Sequence, residues 1–223
     1  MAFSPHPDHT AMTGNTSPEQ QFTLNDIDVG VRIHEALAHH ARAGQGAPIV
    51  YKDLLTLARA LHPKDAVLGR AVPVGIGMKL RFVDAFCAAH GFPRLSCLAV
   101  SPATMRPAPD YSGDWEADRR AVTAFDWSGA DAQLAAFAHA RRGAVPARLK
   151  PRKERPADVS WYAYFCSHRK QCEWIGQEDK HEIINLIMAG LDPETAFRRV
   201  QAAQADFGVD PSAADVPAPA PAP

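Results

Sequence analysis

Residues 73–100 read PVGIGMKLRFVDAFCAAHGFPRLSCLAV. Pro73 suits the first turn of a helix, where its missing N–H costs little. Ile76, Leu80, Val83 and Cys87 then recur at i, i+4, i+7 and i+11, which predicts one buried helical stripe. Gly91 supplies the stop. Leu95 to Val100 is a short apolar run bounded by Pro93 and Pro102, and it reads as a strand. A helix handing over to a strand within 28 residues sets the expected class: mainly α with a small β component.

Upstream, DIDVGVRIHEALAHHARA carries Ile27, Val31, Ile33, Leu37 and Ala38 at roughly helical spacing, starting near Asn25 or Asp26 and ended by Gly44 and Gly46. Ile49 and Val50 suit a short extended lead. Leu54, Leu55, Ala58 and Leu61 then form one face of a helix that stops before Pro63. DAVLGRA adds a short helical segment. Downstream, the loop TMRPAPDYSGD leads to two further helical stretches, DWEADRRAVTAFDW and DAQLAAFAHARRG. AVPARLKPRKERPAD is a basic linker interrupted by prolines. Three more helices are expected in VSWYAYFCSHRKQCEWIG, QEDKHEIINLIMAGL and PETAFRRVQAAQADFG, the last with Asp192 as N-cap and Pro193 in its first turn.

The ends differ from this body. Residues 1–22 are polar and lack apolar periodicity, and 209–223 alternate Pro with Ala; both are expected to be disordered tails. The N-terminus has neither a basic nor an apolar segment of a secretory signal. No stretch approaches the roughly 20 apolar residues of a membrane span. Four cysteines in 223 residues do not make a disulfide scaffold. A soluble cytoplasmic protein with reduced thiols is the expectation, with no membrane partner.

The formal net charge of -1 hides an asymmetry. Between 51 and 106 there are eight basic residues and three acidic ones, a local +5; between 141 and 155, seven basic residues face only Glu154, a local +6. Residues 173–210 carry eight acidic and three basic residues, a local -5. A basic middle suits the phosphate backbone of DNA. It equally suits a solvated connector, or ion pairing with the acidic C-terminal helices of the same chain.

The segment 48–112 runs from an extended lead with Tyr51 into a helix, a second longer helix, Gly-Phe-Pro, an apolar strand and a Pro-rich hairpin or loop. This order resembles a winged helix-turn-helix, and is most similar to the DNA-binding domain of alkyltransferase-like proteins, where a Tyr opens the first helix and a Pro-led strand follows the second. It covers about 65 residues and rests on pattern. The Pro-Cys-His-Arg active site of those DNA alkyltransferases is absent, since Cys97 follows Leu95-Ser96 and no His-Arg pair comes after it. The resemblance therefore implies DNA binding without alkyl transfer. It places the helix 73–90 in or near a groove, with Lys79 and Arg81 as phosphate or base contacts and Arg70 at its approach.

The expected organisation is a tail (1–22), a winged-helix-like domain (23–128), a helix with basic linker (129–157), a helical module (158–208) and a Pro/Ala tail (209–223). The candidate nucleic-acid-binding residues are Arg70, Lys79, Arg81, Arg148, Lys150, Arg152 and Lys153. The expected function is accessory or regulatory DNA binding. The alternative is a protein-interaction adaptor, binding a partner or a second copy through the acidic hairpin 178–207.

No catalytic motif stands out. There is no phosphate-binding Walker sequence and no G-x-S-x-G elbow. Cys166, His168 and Cys172 form C-x-H-x3-C, but a six-residue offset puts the cysteines on different helix faces, so no zinc site or other cofactor is expected. His34, His39 and His40 lack the i, i+4 spacing of a helical metal pair. The aromatics Trp161, Tyr162, Tyr164, Phe165 and Trp174 follow the basic linker, and they suit either a stacking platform for single strands or core packing.

Overall fold

The computed structural model describes residues 21–109, 111–149 and 151–206. The two expected tails lie outside these residues, apart from Gln21 and Phe22. Among the described residues the architecture is mainly helical with one two-stranded sheet.

Helix α1 (Leu24–Ala43) begins at a capping box. Thr23 Oγ1 accepts from the Asp26 amide, and the Thr23 amide donates to the Asp26 carboxylate. Strand β1 (Ile49–Val50) leads directly into α2 (Tyr51–Leu61), and α3 (Ala66–Gly69) follows with Asp65 as its N-cap. A 3-10 turn over Pro73–Gly75 opens α4 (Ile76–His90), which ends at Gly91 in the left-handed region, φ +65°. Strand β2 (Ala99–Val100) pairs parallel with β1, Ile49 beside Ala99 and Val50 beside Val100.

The strand expected over 95–100 is therefore shorter than read. Leu95–Leu98 is a 3-10 turn with all four residues buried, and pairing is confined to the two residues that β1 can match. The chain then forms a tight loop in which the Ser101 amide donates to Arg106 O, 2.8 Å, and the Met105 amide to Ser101 O, 2.9 Å. Helices α5 (Trp115–Ala124) and α6 (Ala130–Gly143) complete the first half.

The basic linker is shorter than the sequence suggested, because α7 (Glu154–Ser167) starts within ERPAD. A 3-10 turn (Arg169–Cys172) follows, then α8 (Gln177–Met188) and α9 (Pro193–Asp206). Asp192 Oδ1 accepts from the Thr195 amide, as its N-cap role requires.

Two apolar clusters organise these elements. In the first, α1 lies against α2, α4 and α6, and its centre holds Ile33, Leu37, Leu54, Phe82, Phe86, Leu98 and Trp127. Gly30 permits the closest approach: a Cβ there would stand 2.6 Å from the Phe82 ring. Helix α6, which the sequence grouped with the linker, contributes Ala130, Leu134 and Ala138 to this cluster. The second cluster gathers Trp161 of α7, Ile183 and Ile187 of α8, and Phe197 and Val200 of α9 around Val74 and Leu149. No helix among the described residues is long and apolar enough to cross a membrane.

Candidate nucleic-acid interface

The basic residues predicted to act together separate into three environments. Lys79, predicted as a groove contact of α4, is inside the protein with its side chain 2% exposed. Its Nζ lies 2.8 Å from Glu182 Oε1 on α8 and 3.3 Å from Asp26 Oδ1 on α1. Asp26 also accepts from Arg199 of α9. The four formal charges cancel, and they join α1, α4, α8 and α9 across the boundary of the two clusters.

The electrostatics follow from this enclosure. Burial alone would lift the Asp26 carboxyl, but the Arg199 and Lys79 charges and the Thr23 amide hold it down at about 2. Burial likewise pulls the Lys79 ammonium down, and the Glu182 and Asp26 carboxylates reverse this, leaving it above its ordinary value. A lysine so held does not reach a DNA phosphate. Its assignment as a surface contact is corrected to a structural one.

Arg81 is exposed on α4. It borders a small cleft where Arg94 Nε and Nη2 donate to Asp84 Oδ2 at 3.1 and 2.9 Å, and Ser96 Oγ donates to Asp84 Oδ1. The Arg94 guanidinium stands 4.3 Å from the Tyr111 ring centre. The cleft measures about 60 Å³, room for a few water molecules rather than an organic substrate. Its polar groups hold the turn before β2 against α4, and Arg94 reaches Tyr111 in the segment after β2.

Two of the remaining candidates, Arg70 and Arg152, line one groove. Arg70, at the C-terminal end of α3, donates from Nε to Asn185 Oδ1 at 3.1 Å and from Nη1 to Glu154 Oε2 at 3.0 Å. Asn185 returns a bond to Arg70 O at 3.0 Å. The linker is fastened beside them: the Arg152 amide donates to Met188 O at 2.7 Å, and Leu149 is buried in the second cluster. Arg70 and Arg152 thus line one groove of about 360 Å³ with Val67, Pro151 and Met188. Arg148 and Lys153 are exposed on the same linker, Arg148 donating to Gln21 Oε1 at 3.2 Å. Lys150 lies outside the described residues.

Other sequence features resolve as packing. Trp161 is buried and stacks on Tyr164, centroids 5.8 Å apart, while Tyr164, Phe165 and Trp174 lie against the second cluster. Of that aromatic group Tyr162 alone is mostly exposed, at 64%. Cys166 is exposed and Cys172 buried. No group of three or more potential metal ligands occurs among the described residues. Ile183, Ile187, Phe197 and Val200 of the 178–207 hairpin are taken up inside the second cluster.

Sequence reasoning missed Asp26, Glu182 and Arg199. Their distance along the chain from Lys79 hides them, and the one local signal was an aspartate three residues into a helix after a threonine. Comparison of the chain with protein-family models, with curated proteins and with solved structures finds no match.

Proposed function

We propose that this chain is an accessory DNA-binding protein that contacts phosphates through the linker face formed by Arg70, Arg148, Arg152 and Lys153. The observation that carries the reading is the placement of Arg148, Arg152 and Lys153, exposed on a linker anchored by Leu149 and by the Arg152–Met188 bond. Anchored cations lose less freedom on meeting a phosphate than cations on a loose tail. In this reading α4 is the central strut of the fold, and the linker replaces it as the contact surface.

Such a surface reads backbone charge rather than base edges, so binding is expected to be weakly selective for sequence. Partner binding through 178–207 has less in its favour, because Ile183, Ile187, Phe197 and Val200 of that hairpin are internal. Fluorescence anisotropy with a labelled duplex at low salt tests the proposal. Wild type binds, and Arg148→Ala/Arg152→Ala/Lys153→Ala binds much more weakly with unchanged stability. Absence of wild-type binding, or equal binding by the variant, refutes it.

A further inference from the structure

A second cavity, of about 240 Å³, lies where the opening turns of α4 meet α9. Its lining includes Gly75, Gly77, Arg81, Glu182, Arg198 and Arg199. Arg199 is the informative residue. Its side chain is 8% exposed, one arm is engaged by Asp26, and Nη1 has no hydrogen-bond partner among the described residues. A buried guanidinium nitrogen left unpaired is costly, and native structures rarely tolerate one without a ligand or water to satisfy it.

The surroundings suit an anion. The Gly75 and Ile76 amides that open α4 already donate to Val72 O and Pro73 O, so the donors the cavity offers are side chains. The Glu182 carboxylate at the same place is matched by Lys79 at 2.8 Å. Arg198 pairs with Glu194 across solvent, both side chains more than half exposed, and such a pair is easily exchanged for a stronger acceptor. Three guanidinium groups therefore line a space of several water volumes. Guanidinium forks match phosphate oxygens in shape as well as in charge.

We propose that this cavity binds a small phosphate-bearing anion, with Arg198 and Arg199 as donors and Arg81 beside them. The site is separate from the linker face and does not depend on DNA binding there. Phosphate chemistry is common to a free anion and to a nucleic-acid backbone, and the proposal commits to the free anion.

Thermal melting of the full chain against inorganic phosphate, at constant ionic strength with chloride as control, reads the binding. Phosphate is expected to raise the melting temperature saturably, and chloride to leave it unchanged. Arg198→Gln keeps the fold and shifts half-saturation by about tenfold, the loss of one charge-assisted contact. Ala202→Phe, which fills the cavity from α9, removes the phosphate effect while retaining the cooperative transition. No saturable rise in wild type overturns the site. So does an equal rise in both variants, or displacement of bound phosphate by a short duplex.

Discussion

Replacing Lys79 with methionine separates a structural lysine from a DNA-contacting one. The ammonium is 2.8 Å from Glu182 and 3.3 Å from Asp26, with all three groups buried. At an effective dielectric constant near 20, each attraction amounts to about 5–6 kcal/mol. Desolvation of the charges offsets most of that. Removing the cation alone leaves two carboxylates facing Arg199, one negative charge in excess, which costs about 3–5 kcal/mol. That is a large share of the roughly 5–15 kcal/mol that holds a typical domain together. Glu182→Gln is expected to cost a similar amount, leaving an excess positive charge. The double variant Lys79→Met/Glu182→Gln restores neutrality, so its cost should fall short of the sum of the singles by about 2 kcal/mol or more. Urea unfolding followed by far-ultraviolet circular dichroism measures all three. A Lys79→Met cost below about 1 kcal/mol, or strict additivity in the double variant, would refute the account of a buried four-charge network.

Further outcomes follow from the two clusters. His34 is 1% exposed between Phe86 and Trp127, neither ring nitrogen has a hydrogen-bond partner among the described residues, and burial holds its pKa at about 4. The folded state keeps the ring neutral while the unfolded chain binds the proton near 6.5, so His34's contribution is complete above that value. About 3 kcal/mol is then lost as pH falls towards 4. His34→Leu should flatten that slope, and parallel curves for the two proteins would sink the idea. Asp26 acts at lower pH: its depressed value means stability present above 3.8 and lost as pH falls to about 2, a loss that Asp26→Asn removes from the acid limb of the curve. Gly30→Ala forces a methyl to within 2.6 Å of the Phe82 ring and should cost about 1–3 kcal/mol by urea unfolding; a neutral result would show that α1 and α4 can move apart. Burial pushes the Cys87 thiol up to about 11 and the Cys97 thiol up to about 12, so a thiol reagent should label exposed Cys166 before either in the native protein, as peptide mapping can check.

Local chemistry made the helix ends legible. Gly44, Pro63, Gly91 and the Asp192–Pro193 pair each mark a boundary with a stated mechanism, and the observed helices end or begin beside them. The apolar run 95–100 was harder to read. A short buried run does not distinguish a strand from a helical turn, and what limits β2 is the two-residue length of β1, half a domain away. The buried stripe of α4 was legible, but the stripe is only part of what is buried. Phe82 and Phe86 meet the first cluster, and Lys79 faces α8 and Asp26, so the helix is enclosed on most of its surface. Lys79 looked like a surface cation because its two carboxylates are 53 and 103 residues away.

The charge asymmetry was legible as a pattern, not as a destination. Part of it is spent internally, through Lys79–Glu182, and part holds the linker region to α3, through Arg70–Glu154. The linker cations Arg148, Arg152 and Lys153 remain on the surface, as composition suggested. Their anchoring to α8 was not visible in the sequence, because it runs through a backbone bond to Met188.

The salt dependence of duplex binding reports directly on whether the linker cations meet phosphates. Each phosphate contact contributes about 0.9 to the slope of log affinity against log salt. Arg148→Ala/Arg152→Ala/Lys153→Ala is therefore predicted to shallow that slope by about 2–3, while Arg81→Ala leaves it unchanged. An unchanged slope in the triple variant, or a shallower one in Arg81→Ala, would contradict the assignment of DNA contact to the linker face.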